Sequence, residues 1–251
     1  MFSKSLFKKT VKDNYKFWLI ITSALSLMLI MVLTAASNFV NQNNNGAQAT
    51  INMMVNHFYT MFAMLLPMIY IVMVGNRLIA AQIDRGSFAY IMSKPIKRNQ
   101  VSLTQALYLA SSIVVMFIII TLIGLIMIGI TGLNIEIGAF LLINLGIVLF
   151  HLAISSISYL SSCIFNVSSK SLLVGAGIPV LFFLFNMLAE FSGIAAAMGY
   201  FRFFTLNTLF DVADIMNYSL NLIWQYLILF GVAVIGYTSG AIYFKNKDLP
   251  L

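Results

Sequence analysis

Long apolar segments, separated by short polar ones, alternate along almost the whole chain. Six of them match or approach the roughly 20 residues that an α-helix needs to cross a bilayer. Their approximate positions are residues 17–36, 58–79, 101–130, 138–164, 172–189 and 220–244. The third segment is longer than a bilayer requires, so we expect its first turns to project beyond the membrane. The pattern predicts an all-α polytopic membrane protein with six transmembrane helices in a single domain, residues 1–251.

The composition agrees with this fold class. Of the 251 residues, 61% are hydrophobic and only 8% are charged, whereas a soluble domain carries roughly 25% charged residues. The net charge of +7 could indicate nucleic acid, but the basic residues lie beside the apolar segments, as in membrane proteins that follow the positive-inside rule. We therefore expect no nucleic-acid partner. The single cysteine, Cys163, excludes a disulfide framework and a Cys-rich metal site.

The first 16 residues have a basic face. Lys4, Lys8, Lys12 and Lys16 recur at helical spacing, with apolar residues towards the other side. This pattern predicts an amphipathic helix at residues 1–16 that lies in the membrane interface, with its lysines reaching anionic lipid head groups. A basic tail that only sets the topology is the alternative.

Two polar segments between the spans differ from ordinary loops. Residues 37–56 carry no charge and contain the tract Asn-Gln-Asn-Asn-Asn-Gly, which predicts a flexible external loop. Residues 190–218 are too polar to span and too apolar for a free loop. Short helices that dip into the outer leaflet and are covered by protein fit them best, so we predict a re-entrant external segment before the last span.

Pro67 is expected to kink the second span.

The basic residues also predict the topology. With six spans and both termini inside, thirteen of the fourteen lysines and arginines fall on the inner side and only Arg202 falls outside. This asymmetry places both termini in the cytoplasm.

Motifs for chemistry are absent. The sequence has no Gly-x-x-x-x-Gly-Lys-Ser/Thr loop that would hold ATP phosphates, and its two histidines, His57 and His151, are far apart. Serines at residues 155–162 lie near His151, but the Gly-x-Ser-x-Gly elbow of a hydrolase is missing. Serines within spans more often pack helices closely or bond to backbone. No span carries a carboxylate at its centre, which disfavours an ion-coupled carrier.

The last span contains a Gly-x-x-x-Gly pair, Gly236 and Gly240. Such pairs favour close approach of helices, either within one bundle or between two subunits.

The most informative polar segment is residues 80–105, which carries a cluster of basic residues between the second and third spans. Asp84 is expected to cap a short helix at residues 86–93, and Pro95 lies near its end. Phe88 would give this helix an apolar side. Such a helix can dock into a groove on a soluble partner, and a plain inner loop whose charges set the topology is an equally weighted alternative.

Residues 84–87 (Asp-Arg-Gly-Ser) and 93–98 (Ser-Lys-Pro-Ile-Lys-Arg) resemble the loop after the second span of ABC-2 type permeases, the membrane subunits of ATP-binding-cassette exporters. Asp84 replaces the usual glutamate and Ser87 the usual threonine, changes that keep the chemistry, while Gln105 stands where a lysine is common. The six spans, the amphipathic first helix, the re-entrant segment and the C-terminal residues 243–251 extend the resemblance over the whole chain.

The resemblance implies a complex of two permease subunits, identical or different, with two cytoplasmic ABC ATPase subunits. ATP and magnesium would be bound by the ATPase, and this chain would hold no cofactor itself. The helix at residues 84–93 would be the coupling helix seated in the ATPase, and residues 166–171 would form a minor contact. The residues assigned to ATPase coupling are Asp84, Arg85, Gly86, Ser87, Phe88, Pro95, Arg98, Asn166 and Lys170.

The function that follows is that of a permease subunit, without enzymatic activity of its own, in a bacterial exporter of the cell membrane. Amphipathic substrates such as peptides, antibiotics or lipids would move outward, and export of, or immunity to, an antimicrobial peptide is one such role. Membrane lipids are further partners. The alternative function is a channel or secondary carrier that needs no partner. A third possible function is an intramembrane enzyme that uses the serine run.

Overall fold

The described residues of the chain form helices and short connections. The computed structural model describes residues 2–42, 47–92, 97–191, 196–219 and 221–248, and it contains no strand within them. Six helices in this part of the chain are long and apolar enough to cross a membrane. They are Lys4–Val40, Gln48–Leu78, Arg98–Thr131, Ile137–Ile164, Ser168–Ala189 and Leu222–Asn246. The predicted all-α fold with six spans is confirmed.

The described residues form ten α-helices. They are α1 (Lys4–Gln42), α2 (Ala47–His57), α3 (Ala63–Leu78), α4 (Ala80–Asp84), α5 (Phe88–Met92), α6 (Arg98–Thr131), α7 (Ile137–Ile164), α8 (Ser168–Glu190), α9 (Val212–Met216) and α10 (Leu222–Asn246).

Helix α7 is the centre of the bundle, because it packs against α3, α6, α8 and α10. Small residues allow the closest contacts. A Cβ atom added at Gly236 would lie 2.7 Å from the Cβ of Ser156, and one added at Gly240 would lie 2.8 Å from the ring of Tyr159. The Gly-x-x-x-Gly pair of α10 therefore packs against α7 of the same chain.

The first helix is longer than predicted. Helix α1 runs without interruption from Lys4 to Gln42, about 58 Å at 1.5 Å per residue, so the boundary predicted at residue 16 is wrong. Nothing near that position breaks a helix, and Asn14 donates to the carbonyl of Thr10 one turn earlier. The first turns run parallel to α6, where Thr10 donates to the side chain of Gln105. The side chains of Lys4, Lys8, Lys12 and Lys16 are exposed.

The flexible loop predicted at residues 37–56 is also wrong over most of its length. Helix α1 continues to Gln42 and α2 begins at Ala47; residues 43–46 lie outside the described part of the chain. Ile51 and Val55, one helical turn apart, are buried in the core. Burial of these side chains favours helix more than the Asn/Gln-rich composition disfavours it.

A π-helical turn, Phe58–Phe62, joins α2 to α3, with the N–H of Ala63 bonded to the carbonyl of Phe58. The irregularity of the second span therefore lies just before Pro67, which is inside α3. Tyr59 in the π turn is buried and accepts a hydrogen bond from Asn144 of α7.

The segment before the last span forms short helices, as predicted. Two 3₁₀ helices, Ala196–Phe204 and Leu206–Leu209, are followed by α9. Tyr218 then donates to the carboxylate of Glu136 at 2.7 Å, which ties this segment to the start of α7.

Candidate functional site

Several connections meet at one end of the bundle. This end comprises the starts of α1 and α6, the α3–α5 connection, the α7–α8 connection and the end of α10, and we call it the basic end. All the described lysines, and every described arginine except Arg202, lie there. The predicted coupling residues in the described part of the chain also lie there, whereas Pro95 is outside the described residues.

The second span ends at a break in the helix that α7 and α8 hold in place. Ile79, with φ −135° and ψ −64°, separates α3 from α4. The freed N–H of Ala80 donates to the hydroxyl of Ser162 at 2.9 Å. Asn76, in the last turn of α3, donates to the hydroxyl of Ser168 at 2.7 Å. Because these partners lie on two other helices, the direction of α4 is fixed by the bundle.

Asp84 does not cap the helix predicted at residues 86–93. It is the last residue of α4, and its carboxylate accepts the N–H of Ser168, the first residue of α8, at 3.1 Å. A carboxylate at a helix N-terminus satisfies an unpaired N–H and interacts favourably with the helix dipole. Asp84 therefore joins the predicted major coupling segment to the predicted minor one.

Gly86 separates α4 from α5. Its φ of +69° lies in the left-handed region, where a side chain is strained. Its N–H bonds to the carbonyl of Ile83, and Ser87 donates to the carbonyl of Gln82. This turn is why the described short helix starts only at Phe88, two residues later than predicted.

Phe88 anchors α5 to the bundle. Its side chain is fully buried and packs edge to face on Phe244 near the end of α10, with ring centroids 5.6 Å apart. The preceding residues Asp84, Arg85 and Ser87 are exposed. The connection thus has one buried anchor and an exposed polar side that a partner can contact.

The remaining predicted residues lie around this connection. Arg98, the first residue of α6, donates to the backbone carbonyl of Lys247 at 3.1 Å. Asn166 lies between α7 and α8, and its side-chain oxygen is buried with no hydrogen-bond partner among the described residues. Lys170 is exposed in the first turn of α8. Gln105 is fully buried against Thr10, so a soluble partner would not reach this position.

The sequence indicates only a topological role for Lys247, as one of the thirteen inner basic residues. Its ammonium donates to the carbonyls of Cys163 and Ile164 at 2.9 and 2.8 Å, so it caps the C-terminus of α7. Burial lowers the pKa of Lys247 below its ordinary value. A lysine after the last span is an expected topological signal, and only the fold shows where its ammonium is placed.

Lys247→Met is expected to destabilise the protein because it removes the cation from the α7 terminus. The expected loss is about 1 kcal/mol, seen as a lower thermal unfolding midpoint of the detergent-purified protein. Lys245→Met removes an exposed charge two residues earlier and serves as the matched control. Equal midpoints for the two variants would contradict the capping role.

The serine run at residues 155–162 holds helices together. Ser161 donates to the carbonyl of Ser171 in α8, and Ser162 accepts the N–H of Ala80 in α4. The ring nitrogens of His151 lie 2.8 and 3.2 Å from the carbonyl oxygens of Ile147 and Met64. These contacts match the structural interpretation of the run. Among the described residues, no group of three histidine, cysteine or acidic side chains could hold a metal ion.

Six apolar helices and an ordered basic end define a multi-pass membrane protein with a structured polar face at one end. The family model described as ABC-2 family transporter protein matches residues 5–249, nearly the whole chain. The chain therefore belongs to the ABC-2 family and is a membrane component of an ABC transporter, not its ATPase. The family implies association with an ABC ATPase and another permease subunit. The search of curated proteins gives no match.

Proposed function

We propose that this chain is the permease subunit of a bacterial exporter in the cell membrane, with both termini in the cytoplasm. ATP hydrolysis by a separate ATPase would drive outward movement of an amphipathic substrate such as a peptide, antibiotic or lipid. The observation that carries this proposal is the contact of Asp84 with the first N–H of α8, because it connects an exposed turn to a membrane helix.

The α4–α5 connection, with the exposed turn at residues 85–87, is the proposed seat of the ATPase. A force on it would reach the membrane helices along two paths. Asp84 passes it to the N-terminus of α8, and Phe88 passes it to the end of α10 through Phe244. A third contact, from Ser162 to Ala80, holds the connection against α7. Movement of the ATPase would therefore shift α8 and α10 relative to α7.

Helix α8 is the proposed contact with the second permease subunit. Only 11% of the most apolar stretch of α8 is buried within the chain, the lowest share among the six spans. Leu173, Val180 and Leu184 are among its exposed side chains. In the membrane such a face is covered by lipid unless another subunit or an amphipathic substrate covers it, and α8 has the most face free for either.

The proposal is tested by purifying the protein from its native membranes in mild detergent and identifying what accompanies it. We expect a soluble ATPase in equal amount. Arg85→Glu, which reverses a charge in the exposed turn, should reduce the ATPase at least about tenfold, since repulsive charges at an interface strongly disfavour a partner. Lys4→Glu makes the same charge change at the start of α1 and should leave the ATPase bound.

A protein that purifies alone, and that moves ions or solutes in liposomes without ATP, would favour the channel or carrier instead. Asp84, Glu136 and Asp248 lie at or just beyond the ends of helices, and Asp13 lies among the exposed lysines in the first three turns of α1. A secondary carrier usually has an ionisable residue within the membrane.

A further inference from the structure

Arg202 is an exception to the charge distribution of this chain. Every other lysine and arginine that the structure describes lies at the basic end, whereas Arg202 lies in the 3₁₀ helix Ala196–Phe204 at the opposite end. Its Nη2 atom is 3.4 Å from a carboxylate oxygen of Asp211, and its side chain is 61% exposed. An exposed ion pair of this length adds little stability. Stabilisation of the fold by this ion pair therefore does not by itself explain why an arginine is present at this position.

A polar cavity lies beside this pair. It has a volume of about 490 Å³, within the range of ligand-binding sites, and it opens between the second span, α8 and the 3₁₀ segment. Side chains that donate or accept hydrogen bonds line it: Asn56, Thr60, Asn186, Asn207 and Thr208. Among the described side chains that line the cavity, Arg202 and Asp211 are the charged ones, one positive and one negative.

Asn207 is almost fully buried at this cavity, and its amide donates to the sulfur of Met64 at 3.1 Å. A thioether sulfur is a weak hydrogen-bond acceptor. An oxygen atom of a ligand would therefore form a stronger hydrogen bond with this amide N–H than the sulfur does. The carbonyl of Met64 lies against His151 in the core. Met64, which lines the cavity, therefore also contacts the central helix of the bundle.

Exposed aromatic side chains beside Arg202 indicate where the cavity lies relative to the bilayer. Phe203 and Phe204 are 84% and 67% exposed, and Tyr200 is also exposed. Aromatic residues on the surface of a membrane protein favour the head-group region. The interfacial preference is that of tyrosine and tryptophan, so Tyr200 is the residue that favours a position of Arg202 near the lipid phosphates.

We propose that this cavity binds the zwitterionic headgroup of a membrane phospholipid of the phosphoethanolamine type. Arg202 binds the phosphate, because the guanidinium matches phosphate oxygens with several N–H donors. Asp211 faces the headgroup amine, and the amides and hydroxyls of the lining bind the remaining oxygens. Because the two charges described at the site, Arg202 and Asp211, sum to zero, a headgroup of zero net charge fits better than an anionic one. The inference does not depend on the direction of transport.

The test is native mass spectrometry of the detergent-purified full chain titrated with phosphatidylethanolamine, with phosphatidylglycerol of the same acyl chains, and with free phosphoethanolamine. We expect the first bound phosphatidylethanolamine to be held more tightly than either of the others. Arg202→Gln should weaken it about tenfold or more, as expected for the loss of hydrogen bonds to a charged group. Arg77→Gln, the same change at an exposed position of the basic end, should leave it unchanged.

Asp211→Asn supplies a second readout. The amide still accepts the N–H of Asp214, so the start of α9 is kept, while the negative charge is removed. We expect the preference for phosphatidylethanolamine over phosphatidylglycerol to disappear. Equal losses in the Arg202 and Arg77 variants, or a wild-type preference for phosphatidylglycerol, would overturn the site. Free phosphoethanolamine bound as tightly as the lipid would overturn the membrane source of the headgroup.

Discussion

Gly236→Leu is expected to prevent stable packing of the last membrane helix. A Cβ at this position would lie 2.7 Å from the Cβ of Ser156 and 3.3 Å from its backbone carbonyl carbon. The hydroxyl of Ser156 also lies 3.4 Å from the carbonyl of Val232, one turn earlier on α10. Helices α7 and α10 would have to separate to admit a leucine, at a cost above about 3 kcal/mol, the upper end for overpacking.

The measurement is the amount of monodisperse protein after detergent extraction, followed by its thermal unfolding midpoint. Gly231→Leu is the matched control, because a Cβ at Gly231 on the same helix meets no atom within 4 Å. We expect Gly231→Leu to behave like the wild type and Gly236→Leu to aggregate or unfold at a much lower temperature. Similar behaviour of the two variants would show that the α7–α10 packing does not depend on the small residue.

The membrane helices were predictable because each is a long apolar run, a signal contained in neighbouring residues. The ends of α7 agree with the prediction to within one residue, 138–164 against Ile137–Ile164. Helix α2 was not predicted, because its formation depends on contacts with residues distant in sequence. The Asn/Gln tract before it indicates a loop, whereas the burial of Ile51 and Val55 depends on helices distant in sequence.

The sequence predicted which segment of the candidate site is exposed, but it did not predict which residues contact one another there. The run at residues 84–87 identified the exposed turn, and Gly86 at φ +69° shows why a glycine is needed in it. The sequence placed Asp84 as the cap of the next helix, which is the nearest N-terminus along the chain. The observed cap is on Ser168, 84 residues away. A partner at that separation depends on the tertiary arrangement of α4 and α8, which local patterns do not specify.

Asp84→Ala is expected to uncouple the transporter. The exposed turn would remain available to the ATPase, but α8 would lose the carboxylate that caps its first N–H. A cap of about 1 kcal/mol corresponds to about a fivefold change in the equilibrium between two positions of α8. We therefore expect ATP hydrolysis to continue, while the equilibrium constant for the ATP-driven shift of α8 falls about fivefold.

The movement can be followed with a fluorophore on Leu173→Cys, an exposed position of α8, in the complex that co-purifies with its ATPase. Cys163 is the only native cysteine and is buried, so labelling is directed to the new thiol. ATP should change the fluorescence in the otherwise wild-type complex and in Asp13→Ala, the same substitution elsewhere at the basic end, but much less in Asp84→Ala.

Asp84→Asn distinguishes the cap from a charge that the ATPase itself might recognise. An asparagine oxygen can still accept the N–H of Ser168, because asparagine caps helix N-termini about as well as aspartate does. The asparagine variant should therefore keep most of the ATP-driven signal. If it loses the signal as fully as Asp84→Ala while both variants still bind the ATPase, the negative charge is what matters. Asp84 would then act directly on the ATPase, and the contact with α8 would not transmit the movement.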